Sequence, residues 1–218
     1  MLEIKRLQLA RLEVMGERWP VHGFVVTHPG GALLVDTGVG GPDEMLSDWR
    51  VVNRAAAEAL ADIDMSPADI DLVINTHLHF DHCGQNAVFS HAPFYVQRAE
   101  VNRAKVESRD LFEWLGFMDA RFELLDGDVE IVPGVRVIAT PGHTSGHQSV
   151  LVQGVAGDVD VLIGDAAYTT VQYGGLEDAK LPPGQAADPA AWRASLQRIW
   201  SSEPARVHFC HDTAVIHG

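Results

Sequence analysis

The sequence predicts a mixed α/β protein, and three observations carry that expectation. Short apolar runs such as Ala32-Leu33-Leu34-Val35 and Leu72-Val73-Ile74 read as buried strands. Between them lie Ala-rich or proline-capped stretches with helical propensity. Gly and Pro punctuation cuts the chain into pieces of strand or helix length. At 218 residues the chain suits one domain, and residues 1–218 are read as a single unit without a linker. The pattern alone leaves the topology open.

The elements follow in order. Residues 2–14 and 21–27 read as strands, the second closed by Pro29-Gly30-Gly31. Residues 32–35 form a buried strand ending at Asp36-Thr37-Gly38. Residues 51–61 are Ala-rich and predict a helix. Ser66-Pro67-Ala68-Asp69 is a capped turn of helix, with proline at the first helical position. A buried strand follows at 71–75, a short strand at 93–96 and a helix at 97–107. Residues 108–120 carry Leu111, Phe112, Trp114, Leu115, Phe117 and Met118, a helical and very apolar stretch that serves either as core or as a surface for an acyl chain. Strands are then expected at 122–125, 129–132, 135–139, 148–152 and 159–163. Asp188-Pro189 caps a helix to about Trp200, and residues 206–210 make a last strand.

Composition removes several classes of function. Apolar residues make up 46% of the chain, too many for a disordered protein. The formal net charge of −14 argues against a nucleic-acid partner, which demands a basic face. Two cysteines exclude a disulfide scaffold. The N-terminal residues mix charges without an apolar core or cleavage site, and no window approaches the ~20 apolar residues of a membrane span. The expectation is a cytoplasmic protein with reduced thiols and no membrane partner. The unusual feature is histidine, with eleven residues.

Those histidines are not scattered. Thr76-His77-Leu78-His79-Phe80-Asp81-His82 follows a buried strand. In extended backbone His77 and His79 face the same way, and Asp81 and His82 lie at the turn that follows. Four ligand-type side chains within six residues would leave buried polar atoms unsatisfied unless a cation joins them. His143, Asp165 and His211 each come just after a predicted strand, where α/β folds gather their sites. Five His and two Asp exceed one tetrahedral site and suit two ions sharing a bridge, with a carboxylate, Asp165 or Asp81, as the bridging group. His/Asp donors accept Zn, the first expectation, as well as Fe, Mn or Co. His147 is read as orienting a ligand, whereas His22, His28, His91, His208 and His217 receive no role, and Cys83 and Cys210 are read as small buried fillers.

The set His77-x-His79-x-Asp81-His82, His143, Asp165 and His211, with Asp36 in an early Asp-Thr-Gly, resembles the metallo-β-lactamase superfamily. The resemblance implies an αββα four-layer sandwich. It also implies one ion on His77, His79 and His143, a second on Asp81, His82 and His211, Asp165 as the bridge and Asp36 as a supporting carboxylate. Three strings are similar to the N-acyl-homoserine-lactone lactonases: Asn75 through His82, Gly127 through Ser149, and Asp165-Ala166-Ala167-Tyr168-Thr169. That likeness implies a hydrolase that opens a lactone ring by attack of a hydroxide shared by two ions. Tyr168 would stabilise the carbonyl oxygen, and Asp81 is the candidate proton shuttle. The expected partner is a small-molecule substrate, and the chain is expected as a monomer or homodimer. The alternatives are a hydrolase of another small ester, lactone or thioester (glyoxalase-II-like) and a non-catalytic, metal-stabilised binding protein.

Overall fold

The computed structural model describes residues 2–14, 16–107, 116–117, 119–154, 156–174 and 186–218. Among these residues, seven strands form the first sheet: β1 (Glu3–Val14), β2 (Glu17–His28), β3 (Gly31–Val35), β4 (Val52–Asn53), β5 (Leu72–Ile74), β6 (Pro93–Gln97) and β7 (Arg121–Leu125). Their spatial order is β4-β1-β2-β3-β5-β6-β7. The second sheet holds β8 (Val129–Val132), β9 (Val135–Ala139), β10 (Gln148–Gln153), β11 (Val159–Leu162), β12 (Arg206–His208) and β13 (Val215–His217), in the order β13-β12-β11-β10-β9-β8. The helices among the described residues are α1 (Asp43–Asp48), α2 (Ala56–Ala61), α3 (Phe80–Cys83), α4 (Arg98–Glu107), α5 (Thr170–Gly174) and α6 (Pro189–Trp200).

The strand period of two assigns each apolar side chain to a layer. Phe24, Val26, Leu33, Val35 and Ile74 of the first sheet meet Val135, Val137, Val150, Val152 and Leu162 of the second, in one core between the sheets. The alternate residues Val25, Leu34 and Val73 face the other way and pack with Ala56, Ala59 and Leu60 of α2. On the far side Ile138, Val161 and Val207 pack under Trp192, Leu196 and Ile199 of α6. Helix, sheet, sheet and helix thus stack as the four layers of an αββα sandwich. Strands buried on both faces read as unbroken apolar runs, which is why β3 and β5 stand out in the sequence.

Parallel pairing sets the site. β3, β5, β6 and β7 run parallel to one another, and β11 runs parallel to β12. The C-terminal ends of β3 and β5, and of β11 and β12, therefore come in pairs at one edge, the place where such sheets hold ligands.

Several expectations shift. The helix expected over 51–61 begins only at Ala56, because Val52 and Asn53 pair with Arg11 and Ala10 as an edge strand. β-branched Val52 suits that edge, and the Asn53 amide donates to Val39 O at 3.0 Å, so tertiary pairing overrides the alanine signal. The strand expected over 206–210 stops at His208, and that over 159–163 stops at Leu162. α1, α5 and β13 were not anticipated. Of the apolar stretch 108–120, residues 108–115 and Met118 lie outside the described residues, while Phe117 sets its ring edge against Phe94 at 5.6 Å in the outer core. Among the described residues no helix is long and apolar enough to cross a membrane.

The Asp188 carboxylate caps α6 by accepting from the N–H groups of Ala190 and Ala191 at 2.9 and 3.0 Å. Asp188→Ala is expected to cost about 0.5–2 kcal/mol. In urea unfolding that means a lower midpoint at unchanged slope; an unchanged midpoint would show that the cap contributes nothing.

Candidate metal centre

Every ligand-type residue named from the sequence sits just past a strand of this edge. Asn75 to His79 follow β5, and α3, a single turn, carries Asp81 and His82. His143 lies in the β9–β10 loop, Asp165 follows β11, and His211 follows β12. All seven are buried except His79, which is partly exposed.

They form two groups. The Nε2 atom of His77, the Nδ1 atom of His79 and the Nε2 atom of His143 make a triangle with sides of 2.9, 3.0 and 3.2 Å. Tetrahedral nitrogens about 2.0–2.1 Å from one ion would stand about 3.3 Å apart, close to what is seen. Asp81, His82 and His211 form the second group. The Asp81 Oδ2 atom lies 3.7 Å from His82 Nε2 and 3.6 Å from His211 Nε2. Asp165 stands between the groups. Its Oδ2 atom is 3.3 Å from His143 Nε2 and 3.7 Å from His77 Nε2, and its Oδ1 atom is 3.2 Å from His82 Nε2 and 3.4 Å from His211 Nε2.

Outer partners decide which nitrogen faces inward. Thr76 Oγ1 donates to Asp36 Oδ2 at 2.7 Å, so it accepts from His77 Nδ1 at 3.1 Å and leaves the His77 Nε2 lone pair aimed at the site. The His82 Nδ1–H group donates to Asp36 Oδ2 at 2.8 Å, and the His211 Nδ1–H group donates to Pro20 O at 2.9 Å. The Asp165 N–H group donates to His147 Nε2 at 2.9 Å, so His147 carries its proton on Nδ1, beside Thr140 Oγ1 at 2.9 Å. His147 thus fixes the backbone of Asp165. His82 Nε2 and Asp165 Oδ1 are buried without a hydrogen-bond partner. Orphaned polar atoms of that kind are costly, and a cation between them satisfies both. The donor set of imidazole and carboxylate fits Zn-type ions.

Charge follows the geometry. Burial, reinforced by the neighbouring imidazoles, holds His77 well below its ordinary value and His79 at about 3. Burial likewise takes His147 to about 3. His82 is also desolvated, but Asp165, Asp81 and Asp36 outweigh that and hold it above its ordinary value. Burial opposes ionisation of Asp165, yet His82, His211 and His143 together keep its carboxyl well below the usual range.

Tyr168 stands beside both groups. Its Oη atom is 3.4 Å from His143 Nδ1, and its ring lies edge-on to His143 at 5.6 Å and to His211 at 5.4 Å. Burial pushes the phenol up, helped by Asp165 and Asp81, so it remains a hydrogen-bond donor. Cys83 and Cys210 are buried thiols raised by desolvation.

Sequence reasoning did not find three neighbours. Trp19 of β2 packs edge-on against Tyr168 at 5.2 Å and tilts over His211 at 5.9 Å. The Asp212 carboxylate accepts from the Thr170 N–H and hydroxyl at 2.9 and 2.8 Å, which joins the His211 loop to the segment after Tyr168. Glu100 is wholly buried in the first turn of α4. Its only sequence signal is an i,i+3 pairing with Arg103, which also describes countless exposed helix faces.

Comparison with known proteins agrees with this architecture. The family model described as the metallo-beta-lactamase superfamily matches residues 16–211. An N-acyl homoserine lactonase of Bacillus cereus is 33% identical over 169 residues, which is 71% of this chain and 66% of that protein. The chain therefore spans just under two thirds of that relative's length. A solved N-acyl homoserine lactone hydrolase, with the product N-hexanoyl-L-homoserine bound at its catalytic metal center, superposes with a TM-score of 0.76 at 25% identity, covering 97% of this chain and 93% of that one. A variant of B. thuringiensis AiiA with N-decanoyl-L-homoserine at its active site gives a TM-score of 0.77 at 25% identity over the same shares, 97% and 93%.

Gly164, next to Asp165, has φ +60°, and a Cβ there would stand 2.6 Å from His147 Nε2. Gly164→Ala is therefore expected to destabilise the protein by more than about 1 kcal/mol. Urea unfolding checks this, and an unshifted midpoint would mean that the loop has room.

Proposed function

Because the chain belongs to the metallo-beta-lactamase superfamily, we propose that it is a metal-dependent hydrolase that opens the lactone ring of N-acyl-homoserine lactones. The observation that carries the reading is Asp165, whose two oxygens face two separate groups of ligand-type side chains. That arrangement supports two divalent ions: one at His77, His79 and His143, the other at Asp81, His82 and His211, with Asp165 between them. Zinc is the first expectation, and Fe, Mn or Co suit the same donors. Bound there, such ions supply Lewis acidity and a nucleophilic hydroxide at neutral pH.

The chain's own residues do the rest. In this reading the Tyr168 hydroxyl, a donor beside His143, holds the substrate's carbonyl oxygen as negative charge develops on it. Asp81 is the group for the proton that the leaving alkoxide needs. Trp19 and Phe80, half-buried beside His211 and His79, offer apolar surface for an acyl chain. The shared core between the two sheets supports reading residues 1–218 as one catalytic domain. The partner in this reading is a small, neutral substrate, which suits a chain of net charge −14.

The test is a pH-indicator hydrolysis screen of zinc-loaded protein. It compares acyl-homoserine lactones, plain γ- and δ-lactones, S-acyl glutathione, a β-lactam and a phosphodiester. Opening of acyl-homoserine lactones above a chelator-treated control is expected, with two ions per chain by elemental analysis. Turnover of S-acyl glutathione alone would move the assignment to the thioesterase alternative, and no turnover of any substrate would sink the reading.

Tyr168→Phe should lower kcat for lactones on the order of 10²-fold, the usual scale for losing one oxyanion donor, while metal content stays at the wild-type level. An unchanged kcat would remove Tyr168 from the reaction.

A further inference from the structure

Outside the ligand-type residues lies a second buried polar cluster that the proposed chemistry does not use. Its centre is Glu100, with no solvent exposure. The Oε1 atom accepts from the Leu78 N–H at 2.9 Å and from Arg103 Nε and Nη2 at 3.1 and 2.6 Å. The Oε2 atom accepts from Thr144 Oγ1 at 2.7 Å. Burial opposes the charge of Glu100, but Arg103 and the two loop donors outweigh it and keep the carboxyl below its ordinary value.

The two loop donors are informative. Leu78 lies between His77 and His79, and Thr144 follows His143. One carboxylate thus holds, by one oxygen each, the two loops that carry the triangle of imidazoles. The second loop is also pressed onto the same turn of helix, since a Cβ on Gly146 would stand 2.1 Å from the Glu100 nitrogen. The same two donors satisfy the lone pairs that Arg103 leaves on the buried carboxylate, so the brace and the two loops depend on one another.

His79 has particular need of such support. His77, His82 and His211 are each held by an outer hydrogen bond from Nδ1, to Thr76, Asp36 and Pro20. Among the described residues the His79 ring has no hydrogen-bond partner beyond the triangle itself. Its position is set through backbone: by the Leu78 N–H on Glu100 before it, and by the His79 carbonyl, which accepts from the His82 and Cys83 N–H groups after it.

We propose that Glu100, with Thr144, is a positioning pair that sets the His77–His79–His143 triangle and so governs the affinity for the ion held there, with little effect on the other ion. This rests on the two-ion reading given above. Glu100 touches neither ion nor substrate; it acts through the two loops.

The experiment is a chelator-competition titration with Co²⁺, read by elemental analysis and by the visible spectrum of the bound ion. It uses the full chain and compares wild type, Thr144→Val, Glu100→Gln, His79→Ala and Leu60→Ala. Thr144→Val removes one hydroxyl and keeps the buried ion pair, so it serves if Glu100→Gln fails to fold. Leu60→Ala destabilises the core at α2, away from the site. Wild type is expected to hold two ions. Thr144→Val and Glu100→Gln should weaken one of them by about 10- to 100-fold, with loss of the same spectral component that His79→Ala removes, while Leu60→Ala keeps both affinities. Two wild-type ions with unchanged affinities in Thr144→Val and Glu100→Gln would overturn the proposal alone. So would an equal loss in Leu60→Ala, which would make the effect one of general stability. A wild type that binds no Co²⁺ would overturn the two-ion reading and this inference with it.

Discussion

The structure turns on one constraint: imidazole lone pairs and carboxylate oxygens are buried together at a sheet edge, all aimed inward. Two of these atoms, His82 Nε2 and Asp165 Oδ1, are left without a hydrogen-bond partner. A ring nitrogen faces inward without its proton only if that proton is held on the other nitrogen. Three of the outward nitrogens have their own acceptor: Thr76 backed by Asp36 for His77, Asp36 for His82, and Pro20 O for His211. The need then passes outward. Asp36 sits in the left-handed region at φ 60°, a conformation that Asp tolerates better than most residues, and there it reaches the Thr76 N–H, the Thr76 hydroxyl and His82 at once.

How much of this was legible in the sequence depended on whether a signal was local. β3 and β5 declare themselves by unbroken apolar runs, because parallel strands covered on both faces have no polar alternation. The density of His77, His79, Asp81 and His82 likewise speaks for itself, since no ordinary core absorbs four such groups. The start of α2 lies later than its alanines suggest because Val52 and Asn53 answer to distant partners, Arg11 and Ala10 on the edge of β1. β13 was missed for a related reason. Three residues near the chain's end become a strand only by pairing with β12.

Glu100 marks the limit more sharply. Its spacing to Arg103 is that of a solvated helix pair, and only the approach of Gly146 and the two loops turns it into a buried brace. Asp212 and Trp19 are the same kind of case. Each gains its meaning from a contact across the site, to Thr170 or to Tyr168, and a one-dimensional reading has no access to that contact. Ligand-type residues announce themselves by chemical type and clustering. The residues that hold them in place are ordinary in type and are distinguished only by position.

That division shows in where the acids go. Thirty Asp and Glu give the chain its −14 charge, yet among the described residues only Asp36, Asp81, Glu100, Asp160 and Asp165 are buried. Burying a carboxylate costs enough that each case calls for a compensating partner. Four of the five stand at the site, and each of Asp36, Glu100 and Asp165 spans two chain segments. The fifth, Asp160, pairs with Arg206 across the parallel register of β11 and β12, at 2.8 and 2.5 Å. Those two strands deliver Asp165 and His211. Among the described residues, then, the buried carboxylates belong to the ligand-type set, brace the segments that carry it, or, as Asp160 does, tie together the two strands that lead into Asp165 and His211.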